Sequence, residues 1–389
     1  MISLSPELGY VGVLFLLFVL PRALQRFGIP AAITSLALGA ASGMGFGFFQ
    51  HDSTIHLLSA FGIVALFLFA GLEVDTDDLR QNAPVLAQHL LVRSVLLAVT
   101  AFALSSILRL DGRVAVLVAL AVLTPSTGFI LDALAMLGLA PHERAWVKSK
   151  AIATELLALL VLFATLQSTT ALRMATSTGV LAAMILVLPL VFRAFARIVV
   201  PFAPRSEFAF LLMVAVVCAF VTRELGVYYL VGAFVVGMAA QRFRERLPAI
   251  ASEEMIRAVE LFASFFIPFY FFNAGVQLRR EDFDFRSLLF GAGFLVAIVP
   301  LRLAAVSLHR RIALGESIRA SLRIAVPMLP TLVFGLVIAE ILRDRFAAPD
   351  PLFGGIVLYT LLTTMLPAVV FKSRIPDYAE PHAPPLSEE

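Results

Sequence analysis

Runs of about 20 predominantly apolar residues recur along the whole of this chain, each long enough to cross a hydrocarbon core roughly 30 Å thick. Nothing else in the sequence restricts the fold as strongly. Of its 389 residues, 60% are hydrophobic and 15% charged, against roughly 45–50% and 25% in soluble domains. The chain reads as an all-α polytopic membrane protein. Its net charge of +3 does not indicate nucleic-acid binding, because the basic residues lie mostly between the apolar runs. The single cysteine, Cys218, sits inside an apolar run, and a lone thiol excludes an internal disulfide. Met1 to Leu20 lacks the basic start of a cleaved signal and is taken as the first span.

Thirteen spans are predicted, at about 6–21, 28–48, 55–73, 83–108, 114–138, 146–168, 175–200, 206–223, 227–241, 256–276, 287–308, 318–342 and 352–371. With the N-terminus outside, eighteen Lys and Arg fall in inside segments and nine in outside ones, while Arg93, Arg302 and Arg323 lie within spans. That bias predicts an N-out, C-in arrangement by the positive-inside rule. Residues 1–372 form the membrane domain. The tail from Ser373 to Glu389 is polar and proline-rich, too short for a domain, and reads as disordered.

Two spans are interrupted. The fifth carries Thr124, Pro125, Ser126 and Thr127 near its middle, and the twelfth carries Pro327 and Pro330. Proline removes a backbone donor and clashes with the carbonyl four residues back, so both helices are expected to open. Open backbone at that depth is tolerated only where protein buries it or it lines a cavity. Broken helices in corresponding positions of two halves point to a transporter's binding site. The two are seven spans apart and so enter from opposite sides. The same offset pairs Arg93 with Arg302, as an inverted repeat would.

The sixth span contains a carboxylate, Glu155, within KSKAIATELLALL (Lys148–Leu160). An acid near the bilayer centre costs roughly 2.5–3.5 kcal/mol on insertion scales and usually faces a bundle interior or a watery cavity.

Several segments together resemble the monovalent cation:proton antiporters of the CPA2 type, in the sodium/hydrogen exchanger family. They are GIPAAITSLALGAASG (Gly28–Gly43), FGIVALFLFAGLEVDTDDLR (Phe61–Arg80), VGAFVVGM (Val231–Met238) and IPFYFFNAGVQL (Ile267–Leu278). The likeness runs from about residue 12 to 371. It implies an inverted repeat of thirteen helices with two crossing broken helices. The core helices would be those at about 83–168 and 287–371, and the homodimer or scaffold helices those at about 6–73 and 206–276. It also implies that Glu155 is the ion-binding acid, that Thr154 stands where the family has an acid, Asn or Gln, that Thr124 is the polar residue of the broken fifth helix, and that Arg302 is the charge-compensating base. Glu replaces the family's usual Asp, and Pro327-Met328-Leu329-Pro330-Thr331 replaces a segment that often contains Gly-Glu.

A cation/proton exchanger needs a group that holds a proton or a cation but not both. A carboxylate does so when burial, which disfavours its charged form, is balanced by nearby donors or cations. Hard monovalent cations take oxygen ligands, and Thr124, Ser126, Thr127 and Thr154 supply hydroxyls without adding charge. Arginine stays protonated, so Glu155 is the only titrating group expected at the site, and electroneutral one-for-one exchange follows. Asp132 is either a vestibule residue or half of an interhelical pair. Glu73 is either a cap or a ligand, and Asn273 either lines the cavity or packs helices through a hydrogen bond. Pro330 and Thr331 are further cavity candidates. Lys148 either reaches the cytoplasmic surface or pairs with Glu155, while Arg93 and Arg323 are expected to satisfy broken-helix ends.

An enzyme is disfavoured. His142-Glu143 does not continue as HExxH, no GxSxG occurs, and the six histidines are scattered, mostly near loops. No cofactor is expected, and no metal beyond the transported cation. A sodium-coupled organic-anion carrier of similar architecture and a transport-inactive scaffold or sensor remain open alternatives. The expected location is the cell membrane, the inner one in a Gram-negative cell.

Overall fold

A computed structural model describes residues 6–74, 83–134, 138–203, 206–226, 229–243 and 253–371, without the side chains of a few residues at helix ends. The described residues contain helices and turns and no strand. In chain order the helices are α1 (Pro6–Gln25), α2 (Ala31–Ala40, continued by a π-turn at Ala41–Gly45), α3 (Ser53–Leu72), α4 (Ala83–Leu108), α5 (Gly112–Leu123) and α6 (Thr127–Leu134). They continue with α7 (Pro141–Gln167), α8 (Ala171–Ile198), α9 (Glu207–Glu224), α10 (Tyr229–Phe243) and α11 (Glu253–Val276). The last four are α12 (Phe285–Leu314), α13 (Ile318–Ala325), α14 (Leu332–Phe346) and α15 (Asp350–Phe371).

Nine helical segments among the described residues are long and apolar enough to cross a membrane, and a tenth if α13 and α14 form one bent span. The other three predicted spans correspond to α2, α9 and α10, which are shorter or carry more charge. The expected tail, Ser373–Glu389, lies outside the described residues.

Both expected breaks are present. α5 ends at Leu123 and α6 begins at Thr127. α13 passes through a single 3-10 turn, Val326–Met328, before α14 starts at Leu332 with a bend of 50°. Pro125, Pro327 and Pro330 account for the loss of the regular ladder.

Two groups of closely packed helices stand out. In one, α3 lies against α10 and α11, and α2 against α11; in the other, α12 lies against α15, and α5 against both α4 and α14. Small residues let the first group close up, as in membrane helix pairs generally. A methyl on Gly71 would strike the Phe234 carbonyl, and one on Gly237 the Leu68 carbonyl, so α3 and α10 meet backbone to backbone. Replacing Gly71 by Val overpacks that seam at a cost of about 1–3 kcal/mol. The variant is expected to lose monodispersity at a lower temperature than the parent in detergent size-exclusion after heating. An unchanged profile would show that the seam is not tightly packed.

Candidate ion-binding site

Each broken helix leaves two half-helix ends inside the protein, and each end carries backbone groups without an intrahelical partner. The structure meets all four ends with side chains. At the C-terminal end of α5, the Val122 carbonyl accepts from Arg302 Nη1 at 3.2 Å and from the Tyr359 hydroxyl at 2.8 Å. At the end of the 3-10 turn, the Leu329 carbonyl accepts from Arg302 Nη1 at 2.8 Å and the Met328 carbonyl from Nη2 at 2.5 Å. One guanidinium therefore sits against the negative poles of both half-helices, where a cation is favoured. Tyr359 also accepts from Arg302 Nη1 at 3.2 Å.

The N-terminal ends are met differently. Ser126, between α5 and α6, donates its backbone N–H to the Pro330 carbonyl at 2.9 Å, and its Oγ accepts from the Val333 N–H of α14 at 2.8 Å. The two breaks therefore cross and are sewn together. The N-terminus of α6, at Thr127, lies beside the Glu155 carboxylate of α7. Glu155 is 2% exposed. Among the described residues its Oε2 and Thr127 Oγ1 lack a hydrogen-bond partner, and Glu155 forms no ion pair.

Several sequence candidates meet at this crossing and others do not. Thr124, Ser126, Thr127, Thr331 and Glu155 are all buried, with the Pro330 carbonyl at the join. Thr331 lies 3.4 Å from both the Thr360 and Thr363 hydroxyls of α15. Thr154 has its hydroxyl engaged: it donates to the Lys150 carbonyl at 2.8 Å and lies 3.0 Å from His89 Nε2 of α4. Arg302 bonds carbonyls and forms no ion pair with Glu155, so it compensates dipoles rather than the acid directly.

Glu73 closes α3 and pairs with Lys148, an ion pair the sequence reading did not foresee. Arg93 is buried, but neither of its Nη atoms bonds a helix end among the described residues. Arg323 donates to the Gly138 carbonyl at 2.7 Å rather than to its own broken helix. Asn273 is half-buried, with Oδ1 unpaired among the described residues. The side chain of Asp132 lies outside the described residues.

Three residues near the crossing were missed. Tyr359 gave only the weak signal of a hydroxyl inside an apolar run. In the sequence His89 and His309 are two of six scattered histidines, most of them near loops. Instead, both are buried in α4 and α12, with ring centroids 5.8 Å apart. The spacing of His89 and Arg93, one turn apart on α4, was the signal available.

A cavity of about 600 Å³ opens beside this crossing. It is lined by the end of α1 and the start of α2, by Leu66 and Phe69 of α3, by α11, by Pro367 of α15, and by Gly128 and Phe129 of α6. It thus reaches the residue next to Thr127, while Glu155 itself is not part of its wall. Far more than one water fits, since each takes roughly 30 Å³ in the liquid.

Residues 12–372 match the transmembrane sodium/hydrogen exchanger family. The chain belongs to that family. It is also similar to a probable Na⁺/H⁺ antiporter 3 of Methanocaldococcus jannaschii, 24% identical over 378 residues covering 92% of this chain and 94% of the relative. Among solved structures, the fold is similar to that of the sodium proton antiporter MjNhaP1 of the same organism at pH 8. The TM-score is 0.68 at 14% identity, with 94% of this chain and 95% of that one covered. A three-dimensional electron-microscopy map of MjNhaP1 gives a TM-score of 0.61 at 17% identity, with 95% of each chain covered. This exchanger-family chain is a multi-pass membrane protein.

The carbonyls that Arg302 serves give a direct expectation. Arg302→Ala leaves buried acceptors short of partners, each at a cost of about 1–3 kcal/mol, whereas Arg302→Lys keeps a cation without the planar fork. Thermal stability in detergent should fall in the order parent, Arg302→Lys, Arg302→Ala. Equal stability of all three would contradict the assignment.

Proposed function

We propose that this protein exchanges a monovalent cation, Na⁺ or K⁺, for protons across the membrane, with Glu155 holding each in turn. Its membership of the sodium/hydrogen exchanger family supports the exchange class. Glu155 carries the residue-level reading: a carboxylate at membrane depth, buried, without an ion pair among the described residues, and facing a half-helix N-terminus. Such a group is costly as a bare anion, so it takes a proton or a cation. Thr127, its hydroxyl unpaired among the described residues, is a candidate oxygen to join the carboxylate around a cation. Thr124 and Ser126 shape the same break, and Thr154 orients α7 from behind.

The 600 Å³ cavity is the candidate cation route. With the N-terminus outside, the helix ends that line it are cytoplasmic, and the conformation is inward-facing. On this reading the protein resides in the cell membrane (the inner one in a Gram-negative cell) as a homodimer through the helices of residues 6–73 and 206–276. Residues 83–168 and 287–371 form the moving core. The CPA2 assignment within the family rests on the sequence segments alone. Neither alternative, organic-anion carrier or inactive scaffold, is favoured by a specific contact.

Reconstituted protein with a pH-sensitive dye and a panel of alkali cations tests the proposal: the parent should exchange, and Glu155→Gln should lose at least the bulk of the activity. Exchange that survives in Glu155→Gln would end it.

Arg302 cannot deliver a proton, so one-for-one exchange follows if Glu155 alone titrates. The structure adds His89, whose Nε2 lies 3.0 Å from the hydroxyl of Thr154, the residue preceding Glu155. Electroneutrality then requires His89 to keep one protonation state through the cycle. His89→Gln keeps a donor for Thr154 and should leave the exchange insensitive to imposed voltage, as in the parent. Flux that changes steadily with voltage in either protein contradicts this stoichiometry.

A further inference from the structure

α12 and α13 enclose a groove of about 430 Å³ between them. Ala304 and Leu308 of α12 and Ile318 and Leu322 of α13 form its apolar walls, with Ser307 and Arg311 as its polar members. The surrounding face is lipid-like in chemistry, since Leu308 is 60% and Ile312 77% exposed. Ser307 is 6% exposed, and its Oγ has no hydrogen-bond partner among the described residues. A buried hydroxyl left in that state costs free energy unless a ligand completes it.

Arg311 is the charged residue among those lining the groove, and other basic residues follow it in the sequence. Arg310 is held by Glu316 through Nε at 2.9 Å and Nη2 at 2.6 Å, and Arg323 donates to Gly138. Arg311 and Arg319 are exposed and form no ion pair among the described residues. Four guanidinium groups therefore share the segment 310–323 with one carboxylate. α13 itself sets Ile318 and Leu322 toward the groove while Arg319 and Arg323, four residues apart, follow each other on the helix surface. A short basic amphipathic helix of this kind suits the headgroup boundary of a bilayer.

We propose that this groove binds an anionic phospholipid. An acyl chain lies along Ala304, Leu308, Ile318 and Leu322, the phosphate sits at Arg311, and Ser307 Oγ hydrogen-bonds a glycerol ester oxygen. The apolar walls accept any acyl chain, so the basic rim supplies the preference for negative charge. A lipid held here braces the two elements joined at the crossing, since α12 carries Arg302 and α13 leads into Met328. This site is independent of the ion that the protein carries.

Native mass spectrometry of the purified protein tests it, with dioleoyl phosphatidylglycerol and dioleoyl phosphatidylcholine titrated at matched concentrations. The parent should prefer phosphatidylglycerol for the first bound lipid. Arg311→Gln, a surface change, should lower that preference about fivefold, the worth of one basic residue at an anionic lipid surface. Ala304→Trp, which fills the groove, should weaken binding of both lipids. Equal affinity of the parent for the two lipids, or an unchanged preference in Arg311→Gln, overturns the proposal. So does an Ala304→Trp protein that keeps its lipid but loses a dimer, which would make the groove a seat for a second copy of the chain.

Discussion

Backbone opened at membrane depth has to find partners within the protein, and this fold depends on how it does so. An unsatisfied N–H or C=O in hydrocarbon costs several kcal/mol, and the two broken helices create such groups on four half-helix ends. The answer is economical in residues. Arg302, with Tyr359, serves the carbonyl ends of both breaks, while Ser126 ties one break to the other through its N–H and its hydroxyl. With three ends closed in this way, the fourth, at Thr127, is left to face Glu155.

That arrangement links the scaffold to the proposed chemistry. A carboxylate opposite a half-helix N-terminus gains from the backbone dipole, but it is buried and lacks an ion-pair partner among the described residues. A mobile positive charge can complete it, either as a proton bound to the carboxylate or as a small cation among oxygens. Arg302 is occupied by carbonyls, so on the proposed reading it leaves the acid free to exchange. The cavity that ends at Gly128 and Phe129 is large enough for water and reaches the neighbourhood of this acid without exposing it.

Much of this was legible in the sequence because it depends on residues that hydrocarbon makes conspicuous. Pro125, Pro327 and Pro330 located both breaks, and Glu155 stood out as a charge inside an apolar run. What stayed hidden depends on which faces meet in three dimensions. Ser126 is one of several hydroxyls at its break, and nothing in the chain says that it spans to Val333 rather than binding an ion. Thr154 looked like a free ligand because its partners, His89 and the Lys150 carbonyl, are reached across α4 and one turn back along α7. Lys148 and Glu73 are 75 residues apart in sequence, and their pairing becomes visible only once the end of α3 and the first turns of α7 meet in space. The three shorter or more charged helices, α2, α9 and α10, mark where counting apolar runs stops being decisive.

The central claim is that a proton and an alkali cation compete for one carboxyl group, and proton release measures that competition without any flux. Purified protein in weakly buffered detergent solution is mixed with Na⁺ or K⁺ across a pH series, and released protons are read with a soluble indicator. The account predicts release approaching a single proton per chain in the parent and none in Glu155→Gln. Equal release from the two proteins, or none from the parent with either cation at any pH, would contradict it.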